Sequence, residues 1–230
     1  MRAIILAGGF GTRLNKKVPN IPKPMAPIAG RPFLEYILDR LVDTQISQVT
    51  ISVGYKAKII MNYFKNSYKN LIIDYIHEDH PLGTGGAITY ALENINDDHT
   101  LVINGDTLVN INYFNLIDWY LKNPTKVAVV VKKLSDVSRY GTVKIQNEKI
   151  LRFLEKGQNG EGWMNAGVYM LKTNLFENYE LPCRFAFEKD FLQKHTLSLI
   201  PSAYKTSCYF IDIGIPEDYE RAQIELPSLD

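Results

Sequence analysis

Two hydrophobic periods alternate through the first half of the chain, and this alternation constrains the fold more than any other feature. Short β-branched or apolar runs are separated by stretches whose apolar residues recur every three or four positions. The runs lie at residues 3–7, 48–53, 71–76, 100–104 and 126–131, and the helical stretches at 32–43, 55–66, 85–94 and 112–122. Strands that alternate with helices of this length predict βαβ units. We therefore expect an α/β fold with a Rossmann-like, mostly parallel sheet flanked by helices.

After residue 131 the strand-like runs follow one another more closely. Strands are predicted at residues 140–145, 150–154, 163–171, 197–200 and 204–213, and helices near 185–195 and from 216 onwards. No Pro/Gly/Ser linker, internal repeat or low-complexity tract divides the chain. The sequence thus predicts one domain over residues 1–230, with a first lobe at approximately 1–110 and a smaller mixed-β lobe with closing elements at 111–230.

Composition and charge exclude several classes of protein. The chain has 230 residues, of which 46% are hydrophobic, and its 26 basic and 25 acidic residues give a net charge of +1. Such a balance, without runs of like charge, is not typical of proteins that bind nucleic acid or membrane surfaces.

The N-terminal MRAIILAGG is too short for a signal peptide, and no apolar run is long enough to span a bilayer. Cys183 and Cys208 form no CxxC pair, which predicts reduced, semi-buried thiols in a soluble cytoplasmic protein.

A glycine-rich segment directly follows the first predicted strand. Residues 6–25 read LAGGFGTRLNKKVPNIPKPM, and open parallel sheets bind ligands beyond the carboxyl ends of their strands. Leu14 stands where a dinucleotide fingerprint needs its third glycine, and no P-loop pattern is present. Glycine amides with the cation Arg13 beside them predict a site for a phosphate chain. The alternative is an ordinary strand-to-helix turn with a surface arginine.

Lys23 lies between Pro22 and Pro24, which restrict the local backbone. A lysine on so stiff a segment is interpreted as a positioned phosphate contact, and the alternative is a proline-rich surface loop. The segments 78–84 and 104–107 also follow predicted strands and are rich in Gly, Asp or Glu. All three segments should meet at the same edge of the sheet.

These motifs resemble the signature of the sugar-1-phosphate nucleotidyltransferases, which make nucleoside diphosphate sugars. LAGGFGTRL is followed by PKPM, and later elements of the family occur in the same order along nearly the whole chain: LGTGGA at 82–87, NGDT at 104–107, YG at 140–141, EK at 155–156, NAG at 165–167 and IDIGIPEDY at 211–219. The resemblance implies the nucleotide-diphospho-sugar transferase fold, whose second lobe binds the sugar. It also implies magnesium-assisted, in-line attack of a sugar 1-phosphate on the α-phosphorus of a nucleoside triphosphate.

The resemblance carries roles onto individual residues. It implies catalytic roles for Arg13 and Lys23, and nucleotide binding by Leu6, Ala7, Gly8, Gly9, Gly11, Thr12, Glu78, Gly83 and Thr84. Sugar-phosphate binding falls to Asp106, Gly141, Glu155, Lys156 and Asn165, and binding of Mg²⁺ to Asp106 and Asp212. Arg13 would hold the leaving pyrophosphate, Lys23 the phosphates near the reacting centre and Lys156 the incoming sugar phosphate. As alternatives from local pattern alone, Asp106 is a turn-forming residue and Asp212 a capping one.

The base and the sugar are read from fewer residues. A carboxylate at Glu78 offers only acceptors, which match the two N–H donors of guanine and predict GTP. A solvated loop acid is the equally open alternative. The overall pattern is most similar to guanylyltransferases of D-glycero-α-D-manno-heptose 1-phosphate, and mannose 1-phosphate guanylyltransferases are the nearest rival.

A non-catalytic regulatory subunit that binds nucleotide sugars is the alternative from another class. Such a chain would be expected to lose Arg13, Lys23 or a metal-binding aspartate, and this sequence retains them. The partners expected are therefore GTP and a sugar 1-phosphate, without nucleic acid or membrane. Apolar residues such as Trp119, Tyr120 and Phe185 fit either a homo-oligomer interface or the core.

Overall fold

The structure is a computed structural model that describes residues 1–9, 11, 14, 17–123 and 125–229. The strands in these ranges are β1 (Arg2–Leu6), β2 (Pro27–Ile28), β3 (Arg31–Pro32), β4 (Gln48–Val53), β5 (Ser67–Tyr68), β6 (Leu71–His77), β7 (His99–Asn104), β8 (Thr107–Val109), β9 (Val127–Leu134), β10 (Thr142–Gln146), β11 (Lys149–Leu154), β12 (Gly162–Lys172), β13 (Ser202–Thr206) and β14 (Phe210–Asp212). The α-helices are α1 (Phe33–Asp39), α2 (Ala57–Phe64), α3 (Gly83–Leu92), α4 (Tyr113–Lys122), α5 (Gln193–Leu199) and α6 (Pro216–Glu225). A 3₁₀ turn covers Lys23–Met25, another covers Leu226–Ser228, and a π-helix covers Phe187–Leu192.

Ten of these strands form one continuous sheet in the order β10-β11-β13-β9-β12-β7-β1-β4-β6-β5. β1 pairs in parallel with β4 and β7, and β4 pairs in parallel with β6. These are the strands predicted from the alternating pattern, and the α/β fold is confirmed. β12 joins β7 in antiparallel orientation, so the second half of the chain extends the sheet begun by the first.

Both faces of the sheet are covered by helices. Ala3 and Ile5 point into an apolar cluster shared with α1, α2 and α4, whereas Ile4 belongs to a second cluster shared with α3 and the π-helix. Successive side chains of a strand point to opposite faces, so an almost uniformly apolar β1 is what a doubly covered strand requires. Within the described residues, no helix combines the length and apolar character needed to cross a membrane.

The strand predicted at residues 197–200 is wrong, because α5 continues to Leu199. Thr196 and Leu199 are buried at helical spacing, whereas Leu197 is 85% exposed. The short apolar alternation therefore resembled a strand by chance. Ile200 ends the helix in a left-handed conformation with φ of 45°.

Two further expectations from the sequence are resolved by burial. Cys183 and Cys208 are free, as predicted, but both are exposed rather than semi-buried. Tyr120 and Phe185 are buried in the core, and Trp119 packs against it. The core role therefore accounts for these aromatic residues.

Candidate active site

The loops after β1, β6 and β7 meet at one edge of the sheet. Backbone N–H groups of Gly105 and Glu78 donate to the carbonyls of Leu6 (2.9 Å) and Val53 (2.8 Å), which carries the parallel pairing past the ends of the strands. A Cβ added at Gly105 would lie 2.7 Å from the Leu6 carbonyl oxygen, so only glycine allows this approach. The three segments that the sequence placed at this edge are therefore side by side.

A pocket of about 380 Å³ lies over these loops. Its lining includes every described residue that was predicted to bind the nucleotide: Leu6, Ala7, Gly8, Gly9, Gly11, Glu78, Gly83 and Thr84. Thr12 and Arg13 lie outside the described residues, so their predicted roles stay predictions.

Glu78 is held at the wall of this pocket by two donors. The Ser52 hydroxyl donates to Oε1 at 2.6 Å, and the Leu82 N–H donates to Oε2 at 3.1 Å. A Cβ at Gly8 would lie 2.3 Å from Oε1, so the glycine leaves the space that the carboxylate occupies. Each oxygen of a carboxylate retains a further lone pair. This fixed geometry favours a positioned acceptor over a solvated loop acid.

The second glycine loop is supported from behind by the second half of the chain. Gly83 has a φ of +72°, and a Cβ there would lie 2.5 Å from the Phe185 carbonyl oxygen. A Cβ at Gly85 would lie 2.1 Å from the Phe185 ring, and the Gly85 N–H donates to the Phe185 carbonyl at 3.0 Å. Close packing against this segment therefore explains part of the glycine content of residues 83–86.

Asp106 and Asp212 are brought together by the pairing of β8 with β14. Thr107 lies opposite Asp212 in this antiparallel pair, and the Ile213 N–H donates to the Asp106 carbonyl at 3.1 Å. The sequence predicted one long strand over 204–213, whereas the chain leaves the main sheet after β13 and forms the separate β14. That break is what delivers Asp212 to the site.

Lys23 lies between the two aspartates. Its Nζ is 2.7 Å from Asp106 Oδ2 and 3.2 Å from Asp212 Oδ1. The lysine is 9% exposed and begins the 3₁₀ turn after Pro22, whose φ of −65° and ψ of 142° are extended. Lys23 therefore enters the site from a 3₁₀ turn, and the three charged groups converge from positions far apart in the sequence.

The two aspartates offer a donor set that suits a hard divalent cation. Their carboxylate oxygens converge on one positive group, here the Lys23 ammonium, and Asp212 Oδ1 is also oriented by the Gly214 N–H at 2.7 Å. Across the described parts of the chain, no group of three or more His, Cys, Asp and Glu side chains could hold a metal. Two carboxylates suit an ion that takes its remaining ligands from phosphate and water, as Mg²⁺ does.

A second pocket of about 580 Å³ adjoins the first. It is lined by all the residues predicted to bind the sugar phosphate, which are Asp106, Gly141, Glu155, Lys156 and Asn165. Asn104 and Asp106 line both pockets. Two ligands bound side by side would therefore meet at Asp106.

Several residues of the second pocket carried no recognisable sequence signal. Tyr169, Glu188 and Lys189 line it, and Lys189 Nζ lies 3.0 Å from Glu155 Oε1. Hydrogen bonding to Glu155 raises the pKa of Lys189, so the lysine is charged at neutral pH. The sequence around Glu188, FEKDFL, shows helical apolar spacing but nothing that marks the two charged residues as part of a site.

Comparison with known proteins agrees with this geometry. A model of the nucleotidyl transferase family matches residues 2–228. The chain is 42% identical to D-glycero-alpha-D-manno-heptose 1-phosphate guanylyltransferase of Aneurinibacillus thermoaerophilus over 98% of both chains. It is 31% identical to mannose-1-phosphate guanylyltransferase of Mycobacterium tuberculosis, over 97% of this chain and 64% of that one.

A solved structure gives the same result for the fold. HddC from Yersinia pseudotuberculosis matches with a TM-score of 0.86 and 40% identity, over 96% of this chain and 97% of that chain. The same protein complexed with GMP-PN matches with a TM-score of 0.85. The predicted nucleotide-diphospho-sugar transferase fold is confirmed, and the chain belongs to the nucleotidyl transferase family.

Proposed function

We propose that this chain transfers GMP from GTP to D-glycero-α-D-manno-heptose 1-phosphate and releases pyrophosphate. The observation that carries the proposal is the meeting of two pockets at Asp106, with Lys23 and Asp212 at the junction. The names of the 42% identical relative and the GMP-PN complex of HddC support the choice of sugar and nucleotide.

The proposed chemistry needs no protein nucleophile. An oxygen of the sugar phosphate attacks the α-phosphorus in line, and the bond to the pyrophosphate oxygen breaks. Because both reactants are polyanions, catalysis consists of positioning and charge stabilisation. Lys23 would neutralise phosphate charge at the junction, and Lys156 lines the pocket that would take the incoming sugar phosphate. The family resemblance alone assigns Arg13 to the pyrophosphate.

Mg²⁺ is the proposed cofactor, and Asp106 and Asp212 would hold it. When bound, it would polarise phosphate oxygens and offset their charge. Without it, the same two carboxylates retain their ion pairs with Lys23. The chain's own contribution is therefore a pair of fixed acceptors and a fixed cation within one small region.

Guanine selection is assigned to Glu78. The carboxylate is fixed by Ser52 and by the Leu82 N–H, which leaves lone pairs for the N1–H and N2–H₂ donors of guanine. Backbone groups of Leu6 to Gly8 line the same pocket and supply further contacts to the base. A pyrimidine imide has one N–H donor between two carbonyl acceptors, so only one carboxylate oxygen would find a donor and the other would face a carbonyl oxygen.

Sugar recognition is assigned to Gly141, Glu155 and Asn165. Glu155 can accept from two vicinal hydroxyls, and its ion pair with Lys189 orients it at the pocket wall. Mannose 1-phosphate is the second candidate, because a 31% identical relative carries that name. The higher identity and the fuller coverage of the heptose relative favour heptose.

The test is pyrophosphate release from GTP with four sugar 1-phosphates: heptose, mannose, glucose and N-acetylglucosamine. We expect the highest kcat/KM with D-glycero-α-D-manno-heptose 1-phosphate, abolition by EDTA and recovery with Mg²⁺. Mass spectrometry should identify GDP-heptose as the product. Highest kcat/KM with mannose 1-phosphate would contradict the choice of sugar, and binding of GDP-heptose without turnover would favour the regulatory alternative.

A further inference from the structure

Glu188 lines the sugar pocket and contacts a residue of the nucleotide pocket, but the proposed chemistry gives it no role. It lies on the π-helix Phe187–Leu192, and each of its two carboxylate oxygens accepts one hydroxyl group. Oε2 accepts from Thr84 Oγ1 at 3.0 Å, and Oε1 accepts from the Tyr169 hydroxyl at 2.8 Å. Thr84 lines the nucleotide pocket, whereas Tyr169 lines the sugar pocket. One carboxylate thus contacts a wall of each.

On the nucleotide side, two hydrogen bonds tie the Thr84 hydroxyl to the π-helix and leave it one lone pair. It accepts from the Phe187 N–H at 2.8 Å, and its single proton is donated to Glu188. Thr84 follows Gly83 at the start of α3, the helix whose N-terminal turn lines the pocket. The position of that turn is therefore tied to the position of Glu188.

On the sugar side, the contact runs through a buried tyrosine. The Tyr169 side chain is 1% exposed, and its hydroxyl accepts from Asn165 Nδ2 at 2.8 Å while donating to Glu188. Burial, with a further contribution from the charge of Glu188, raises the pKa of Tyr169 well above its ordinary value. The hydroxyl therefore keeps its proton at neutral pH and acts as the donor.

Asn165 is consequently held in one orientation. Its Oδ1 accepts from the Gly167 N–H at 3.0 Å, and one hydrogen of Nδ2 is used by Tyr169. Only the second Nδ2 hydrogen and a remaining Oδ1 lone pair are left for a ligand. The hydrogen bonds connect Thr84, Glu188, Tyr169 and Asn165 without interruption.

The chemistry of this chain of hydrogen bonds calls for glutamate at position 188. Both of its partners donate a hydroxyl proton, and a carboxylate can accept both. A glutamine would present an N–H₂ group to one of them. The Tyr169 hydroxyl already accepts a hydrogen bond from Asn165. A glutamine N–H₂ group facing it would add a second donor and would remove the oxygen to which Tyr169 donates.

We propose that Glu188 is a positioning residue that couples the two pockets, so that nucleotide and sugar phosphate bind cooperatively. This inference rests on the proposed function, because it takes those two ligands as occupants. A ligand that fixes the first turn of α3 also fixes Glu188, and through Tyr169 it fixes Asn165. The first ligand thus restricts the remaining motion of this hydrogen-bonded chain, and the second ligand has less motion left to restrict. Each ligand should therefore raise the affinity of the other by the same factor, about 5- to 10-fold, at the low end of the range for coupled sites.

The test measures binding without turnover. A GTP analogue with a methylene group between the α- and β-phosphorus cannot release pyrophosphate, so its Kd can be determined by calorimetry with and without heptose 1-phosphate. The Kd ratio is the Kd without heptose 1-phosphate divided by the Kd with it. We expect a Kd ratio of about 5 to 10 in the unaltered protein and close to 1 in Glu188→Gln. Each ligand alone should still bind Glu188→Gln within about threefold of its original Kd.

Asp190→Asn provides a matched control. Asp190 is on the same π-helix and accepts from the Ala186 N–H at 2.8 Å, so its substitution removes the same charge without touching Thr84 or Tyr169. The Kd ratio should be retained in this variant. Tyr169→Phe, which breaks only the sugar side of the connection, should lower the ratio as Glu188→Gln does, and thermal unfolding shows whether each variant is folded.

The coupling role would be overturned by a Kd ratio near 1 in the unaltered protein, or by an unchanged ratio in Glu188→Gln. Equal weakening of both ligands at a constant ratio would also overturn it, since a merely structural role predicts that result. Turnover of GTP and heptose 1-phosphate without coupling would remove this inference alone. Coupled binding without any turnover of GTP itself would remove the proposed function alone.

Discussion

Lys23 shows most directly how one residue balances the charges of the site. Its ammonium lies within hydrogen-bond distance of Asp106 and Asp212, the same two carboxylates assigned to Mg²⁺. A divalent cation held by these carboxylates would therefore compete with the lysine. Phosphate oxygens of the substrates would give the displaced ammonium a new partner, so the metal and the nucleotide should each favour binding of the other.

Lys23→Met should change the affinity of the nucleotide-free protein for Mn²⁺. Removing a positive charge this close to both carboxylates should tighten Mn²⁺ binding by about tenfold, since such a contact is worth roughly 1 to 4 kcal/mol at protein-surface dielectric constants. Turnover should fall by about a hundredfold, because the phosphates lose a cation. Mn²⁺ affinity can be measured by electron paramagnetic resonance.

Lys17→Met is the control for this experiment. Lys17 belongs to the same stretch of chain but pairs with Glu220 at the surface, so its removal should leave Mn²⁺ binding unchanged. Weaker Mn²⁺ binding in Lys23→Met than in the unaltered protein would show that the lysine does not compete for the carboxylates.

The second prediction concerns base choice at Glu78. Glu78→Gln replaces an acceptor by a donor, so kcat/KM with GTP should fall by about 10- to 100-fold, the value of one or two charge-assisted hydrogen bonds. Activity with UTP should fall less or rise. Asp79→Asn removes the same charge from an exposed neighbour and should change the activity with neither GTP nor UTP. An equal loss with every nucleotide would mean that Glu78 holds the loop rather than the base.

At the scale of elements, the start of α3 is shaped by a neighbour from the other half of the chain. A Cβ at Gly85 would lie 2.1 Å from the Phe185 ring, whereas a Cβ at Gly9 would have no atom of the described residues within 4 Å beyond its chain neighbours. Gly85→Ala should therefore destabilise the protein by about 1 to 3 kcal/mol through overpacking, despite the better helix propensity of alanine. Urea unfolding measures the change.

Two comparisons make that prediction specific. Gly9→Ala should leave the free energy of unfolding nearly unchanged. Gly85→Ala combined with Phe185→Leu should be less destabilised than the sum of the two single variants, because the smaller side chain returns the space. Additive losses in the double variant would place the cause elsewhere.

Local pattern predicted most elements but not the contacts between them. β1, β4 and α4 follow from apolar periodicity because each buries a complete face. β14 has three residues and depends on a partner about a hundred positions earlier, so periodicity could not separate it from β13. The same limit applies to the site. Asp106 and Asp212 lie in recognisable motifs, whereas Glu188 gains its place only from folding against Thr84.

At the scale of the whole molecule, the two predicted lobes share one sheet and one site. β7 of the first half pairs with β12 of the second, and the nucleotide loop rests on Phe185. A break between the lobes would expose the long edge of β7 and leave α3 unsupported. The two halves should therefore unfold together, which also tests the single-domain prediction.

The two tryptophans make this expectation measurable. Trp119 and Trp163 both lie in the second lobe, outside the nucleotide pocket, so their fluorescence reports unfolding of the half that contributes few contacts to the nucleotide. Tryptophan fluorescence and far-ultraviolet circular dichroism should give one coincident urea transition. The non-reactive GTP analogue at about 100 times its Kd should shift both signals to higher urea by about 2.7 kcal/mol of stability. If the lobes folded independently, the nucleotide would stabilise only the first lobe. The urea midpoint of the tryptophan transition would then be unchanged by the nucleotide, whereas part of the circular dichroism transition would shift to higher urea.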